Sequence, residues 1–169
     1  LVSDAIPLTN ASFEWGSNFW ALWNGASVGG GGPGSSGPNV LHLPEGHSYD
    51  AMAKLTAAVT LPAGNYSVSA RMAARSVGET CETFIQFIGP TVASVTLGVS
   101  REVYYLTPVT SNAATLSAGT YTIQVNRGCN WTSNAVTMLD AITINPAGSA
   151  FANATFASPD LGPLADDYS

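Results

Sequence analysis

The sequence predicts an all-β chain folded as a sandwich of two antiparallel sheets. Helical periodicity is nearly absent, and runs of alternating or β-branched residues bounded by Gly, Pro and Asn recur along most of the length. Two near-identical turn phrases, Leu61-Pro-Ala-Gly-Asn-Tyr66 and Leu116-Ser-Ala-Gly-Thr-Tyr121, each place a glycine before an aromatic that opens a strand. Their echo predicts two corners in equivalent positions of the sandwich.

The strands expected in chain order are Lys54 to Leu61, Tyr66 to Ala74, Thr83 to Ile88, Ser94 to Val99, Glu102 to Val109, Thr120 to Asn126 and Val136 to Ile144. Alternation sorts their faces, with Val68, Ala70 and Met72 opposite Ser67, Ser69 and Arg71, and Tyr121, Ile123 and Val125 opposite Thr122, Gln124 and Asn126. A polar face in mid-strand predicts that one surface of each sheet is wet. The segment Gly29 to Gly37 reads as a long flexible surface loop, because it lacks the Lys-Ser/Thr and the helix of a phosphate cradle. Residues 1–9 are expected to form an N-terminal arm or edge strand, 10–146 the sandwich, and 147–169 a Pro-containing acidic tail or linker.

Composition narrows the partners. Charged residues make up 9% of the chain, against roughly 25% in an average soluble domain. The formal charge of -6 repels a phosphate backbone or an anionic membrane, so nucleic acid is not expected. No stretch approaches the ~18 apolar residues of a membrane span, so no membrane insertion is expected either. The two cysteines, Cys81 and Cys129, permit one disulfide. Sequons stand at Asn10, Asn65, Asn130 and Asn153. Together these features predict secretion and an extracellular glycoprotein.

Catalysis is not expected. The carboxylates fall mainly in turns and termini, with no pair set apart as a glycosidase requires. In His42-Leu-Pro-Glu-Gly-His47, Pro44 and Gly46 exclude the helix of a zinc motif, and no nucleophile elbow is present. Sugar recognition instead needs flat aromatic faces and planar polar groups. The aromatics are Trp15, Trp20, Trp23, Tyr49, Tyr104, Tyr105 and Trp131, and the planar groups Arg71, Gln86, Gln124, Asn126 and Arg127.

The order of Asn10-Ala-Ser-Phe13-Glu14, then Trp20 and Trp23, then the phrase Leu61 to Ala70, then Leu139-Asp140-Ala-Ile142-Thr-Ile144 resembles carbohydrate-binding modules of the 4/9 type and related galactose-binding-like jelly rolls. The resemblance spans roughly 10–145. It implies a jelly roll, a polysaccharide or glycan partner, and a structural calcium held by Glu14 and Asp140 with backbone carbonyls; capping or acceptance of backbone N–H groups is the alternative for both carboxylates. It also implies that ligand lies on the concave sheet face, where Arg71, Gln86 and Gln124 are expected to converge; the alternative is that these three only solvate one face. Trp20 is expected in the core, and Trp23 in the core or on a cleft wall. Trp23, Tyr49 and Trp131 are the expected aromatic contacts, Trp131 alternatively packing over the disulfide. The competing reading is a structural subunit of an extracellular fibre, surface layer or adhesin, in which an apolar end adds a strand to a neighbouring copy and drives self-assembly.

Overall fold

The structure, a computed structural model, describes residues 5–44, 51–75, 81–100, 103–129 and 136–146. They form twelve strands: β1 (Trp20–Trp23), β2 (Ser27–Gly30), β3 (Asn39–Pro44), β4 (Met52–Leu55), β5 (Val59–Leu61), β6 (Gly64–Arg75), β7 (Cys81–Ile88), β8 (Val92–Ser100), β9 (Val103–Thr110), β10 (Ala114–Leu116), β11 (Gly119–Cys129) and β12 (Val136–Pro146). Sheet one runs β1-β4-β11-β7-β8 with β5 also on β11, and sheet two runs β10-β6-β12-β3-β2 with β9 also on β6. The pairings between these strands are all antiparallel.

Alternation decides which side chains meet between the sheets. Ile85 and Phe87, with Tyr121, Ile123 and Val125, face Val68, Ala70 and Met72, and all are buried in one core with Leu41, Leu139 and Ile144. The single strand expected over 54–61 is instead β4 and β5, both laid against β11. The N-terminal residues enter the sandwich: Ile6 bridges Ile144, and Leu8 is buried in the core. Residues 147–169 lie outside the described residues.

Two expectations need correction. The outward residues of β6 are not wet, because Ser67 and Ser69 are buried and Ser69 is bonded to Thr110 and Asn145. Nor is the glycine-rich segment a free loop. Gly29 and Gly30 belong to β2, and Gly31 N–H closes the remainder on Pro38 O at 2.7 Å. Leu106 N–H donates to Pro33 O at 2.9 Å and Arg71 Nη1 to Gly34 O at 3.0 Å. These bonds strap the segment across the outer face of sheet two. A backbone that pairs with its own fold has no need of side chains to hold it.

In β12 the register shifts between Asp140 and Thr143, and Ala141 has φ 52°. This bulge lets Leu139 and Ile142 both reach the core while Asp140 points to the strap.

Candidate functional site

Sheet one leaves its outer face open, and cross-strand register arranges that face in rows. Ala21 stands opposite Lys54, Lys54 opposite Gln124, Gln124 opposite Gln86, and Gln86 opposite Ser94. The neighbouring row is Trp23, Met52, Asn126, Phe84 and Thr96. Each of these ten side chains is partly or fully exposed, because its strand neighbours in the alternation are committed to the core. Strands lie about 4.8 Å apart, so each row presents a group at close to the length of one pyranose residue.

The groups in these rows are already oriented. Gln124 Nε2 donates to Asn126 Oδ1 at 2.9 Å and lies 3.5 Å from Gln86 Oε1. This leaves the Gln124 Oε1 acceptor and the Gln86 Nε2 donors outside the cluster. Trp23 is 42% exposed, and Lys54 Nζ lies 6.0 Å from its ring centroid, within cation–π range. Among the described side chains of this face none is a carboxylate. The chemistry it offers is an aromatic surface for the apolar side of a sugar ring, with amides and an ammonium for the hydroxyls.

Of Arg71, Gln86 and Gln124, the three expected to converge, Gln86 and Gln124 stand side by side with Trp23 on the neighbouring row, and Arg71 does not join them. It sits on β6 in the other sheet, opposite Asp140, with its guanidinium on Gly34 O. Arg127 is also absent from this open face: it follows inward-facing Val125 by two residues, stands opposite Thr83 and is 1% exposed. Trp20 is buried, its indole N–H donating to Asn10 O at 3.0 Å and its ring 5.2 Å from Phe13. Tyr49 and Trp131 lie outside the described residues. Lys54 and Phe84 went unnoticed in the sequence; only the register that places them beside Gln124 and Asn126 reveals them.

Glu14 and Asp140 meet the strap three residues apart. Asn39 N–H donates to Glu14 Oε1 at 3.0 Å, while Ser36 gives both its N–H and its hydroxyl to Asp140 Oδ2 at 2.6 and 2.8 Å. Ala141 N–H donates to Asp140 Oδ1 at 2.9 Å. Burial nonetheless raises the Asp140 carboxyl above its usual value, against the opposing pull of these bonds and of Arg71. Among the described residues no group of three His, Cys, Asp or Glu converges.

Cys81 and Cys129 are directly opposed in the β7–β11 register. Their side chains lie outside the described ones. Asn65 is exposed at the start of β6. Asn10 is wholly buried, its amide donating to Gly16 O and Asn18 O and accepting from Trp15 N–H, so its sequon corrects to a structural element incompatible with a glycan in this fold. Asn130 and Asn153 lie outside the described residues.

No protein-family description matches the chain, and no curated protein matches it. Solved structures do. The TmCBM61 module, solved with β-1,4-galactotriose, superposes with a TM-score of 0.59 at 17% identity, covering 83% of this chain and 98% of its own. The CBM22-1 xylan-binding domain of Paenibacillus barcinonensis Xyn10C gives 0.60 at 13% identity, over 88% and 98%. A family 16 carbohydrate-binding module gives 0.56 at 19%, over 81% and 97%. The fold is the jelly-roll sandwich of those carbohydrate-binding modules. At these identities the likeness establishes the fold, and the 4/9 type is not singled out by it.

Proposed function

We propose that this chain is a non-catalytic, secreted carbohydrate-binding module that holds a polysaccharide or glycan across the strands of sheet one. The observation that carries the reading is the in-register row Lys54–Gln124–Gln86 with exposed Trp23 beside it. Amides bonded to one another on an open face gain little stability from it, since surface polar groups are equally well served by water. That ordering does have a binding purpose, because orientation fixed beforehand removes the entropic cost of ordering those groups on a ligand.

Three accessory features accompany the proposal. Glu14 and Asp140 would hold a structural calcium through their hard carboxylate oxygens, in place of the backbone N–H groups of Asn39, Ser36 and Ala141 that they accept here, the arrangement that stands as the alternative. With no third acidic group among the described residues, backbone carbonyls would complete its shell. Cys81 and Cys129 would form a cross-strand disulfide, since opposed antiparallel residues lie roughly 4.5 to 5.5 Å apart at Cα, inside the range such a bond spans. Asn65 is the sequon among the described residues whose exposure suits a glycan.

Affinity electrophoresis through gels holding xylan, β-1,4-galactan or galactomannan tests the reading. Retardation on at least one of them is expected. On that polysaccharide, Gln124→Ala and Trp23→Ala should each weaken binding about tenfold without lowering the melting temperature. A wild-type chain retarded by none of the three, or variants retarded as strongly as wild type, would sink it. Large assemblies indifferent to sugar would point to the structural-subunit reading instead.

A further inference from the structure

A second aromatic display lies outside the rows of sheet one, in the turn before β1. Trp15 and Phe19 are 36% and 43% exposed, and their rings lie 5.6 Å apart, tilted by 34°. Ser17 and Asn18, between them in sequence, are exposed as well. Burial of apolar surface does not account for two large rings left in water side by side.

The turn that presents them is held in one conformation. Buried Asn10 ties it together by donating to Gly16 O at 3.0 Å and Asn18 O at 2.9 Å while accepting from Trp15 N–H at 3.0 Å. Phe19 O in turn accepts from Thr56 N–H at 2.8 Å and from the Thr56 hydroxyl at 3.1 Å, which pins the turn to the end of β4. Three non-glycine residues adopt positive φ within it: Asn10 at 52°, Phe13 at 62° and Phe19 at 68°. For a bulky residue such as Phe19 that conformation is unfavourable, and such strain gathers where a fixed geometry serves recognition.

The size and chemistry of the display limit its occupant. Aromatic side chains bury roughly 200 Å² each, so two rings at these exposures offer on the order of 160 Å², far below the roughly 800 Å² per partner of a stable protein interface. That area suits one or two pyranose rings. The turn's charged residue, Glu14, has its Oε1 on Asn39 N–H, so the exposed groups between the rings are a hydroxyl and an amide. Flat rings flanked by neutral planar and hydroxyl groups match an uncharged sugar.

We propose that Trp15 and Phe19 form a second glycan platform, separate from the sheet-one rows, that takes a neutral pyranose ring. It goes beyond the sheet-face reading, yet a long chain could engage both, since β1 begins at Trp20 directly after Phe19 and ends at Trp23, about 10 Å further on. Two linked contacts of this kind add avidity on polysaccharide that a short oligosaccharide does not feel.

The test compares wild type, a Trp15→Ala/Phe19→Ala variant and a Trp23→Ala/Gln124→Ala variant on hydroxyethylcellulose, galactomannan and β-1,4-galactan gels. Expected are about a tenfold loss for the Trp15/Phe19 variant on the polysaccharide that retards wild type, and residual retardation of the Trp23/Gln124 variant. If the Trp15/Phe19 variant is retarded like wild type, this platform is refuted while the sheet-face reading stands. Retardation of wild type by none of the three overturns both. Should the Trp15/Phe19 variant not fold, the wild-type Trp15 indole resonance decides: a shift on titration with the polysaccharide supports the platform, and an unmoved signal overturns it.

Discussion

Tyr66 and Tyr121 occupy equivalent places at two reciprocal corners of the sandwich. Each hydroxyl donates to the carbonyl four residues upstream, Pro62 O at 2.5 Å and Ser117 O at 2.6 Å. One corner passes from β5 to β6 and the other from β10 to β11, and each strand leaving a corner pairs with the strand entering the other, Gly64 opposite Leu116 and Gly119 opposite Leu61. Both rings belong to the core, and burial, then the neighbouring Tyr121, hold the Tyr66 hydroxyl above its ordinary pKa.

Replacing either tyrosine by phenylalanine keeps the ring and strands the carbonyl. Tyr66→Phe is expected to cost about 1 kcal/mol. Tyr121→Phe should cost more, because its hydroxyl also accepts from Thr91 N–H at 3.3 Å. Urea unfolding reads both, and a Tyr66→Phe penalty equal to or above that of Tyr121→Phe would contradict this ordering.

The strap makes a sharper claim. Gly34 has φ +88°, and a Cβ there would lie far inside van der Waals contact distance of Leu106 O. Gly34→Ala should therefore lose about 2 kcal/mol or more. Gly32→Ala, two residues away with nothing near its Cβ position and no positive φ, serves as the neutral control. Equal melting temperatures for the two variants would mean the strap is not held as described.

Asp140 predicts an inverted acid response in the metal-free chain. Its carboxyl is raised above 3.8 mainly by desolvation, so the folded state holds this proton more tightly than the unfolded state does. That contribution to stability is fully present below the unfolded value and is lost as pH rises through the folded one. In chelator, the difference in unfolding free energy between wild type and Asp140→Asn should shift toward wild type on acidification from neutral pH to about pH 4. A difference independent of pH would show that Asp140 carries no excess desolvation.

The two cysteine positions are opposed in the register of β7 and β11. A bond between them closes a loop of about fifty residues, for which the chain-entropy estimate is roughly 4 kcal/mol. Dithiothreitol, or Cys81→Ser, should lower the urea midpoint accordingly, and thiol titration of the untreated chain should find no free sulfhydryl. Two titratable thiols with an unchanged midpoint on reduction would exclude the bond.

Much of this architecture is legible in local pattern. The inward set Val68, Ala70, Met72 and the inward set Tyr121, Ile123, Val125 follow from a period of two, and both are core residues. The two corner phrases follow from turn chemistry that acts over a few residues. Gln86 and Gln124 are identifiable as polar residues in apolar strands that must face outward. Arg71 has the same local signature, yet it lies on the other sheet.

That contrast marks the division. Local pattern by itself determines the longer strands and which of their side chains turn to the core, because sterics and side-chain alternation operate within a few bonds, whereas the short strands β1, β2, β3 and β10 carry no such signal. Tertiary structure alone decides which strands are neighbours, and with that whether a polar residue joins an open row, as Gln124 does beside Lys54, or supports a strap, as Arg71 does beneath Gly34. Ser36 and Asp140 stand 104 residues apart and share two hydrogen bonds. No local propensity encodes such a contact: it forms because burying the core brings both segments to one place, where the carboxylate must find donors once water is gone.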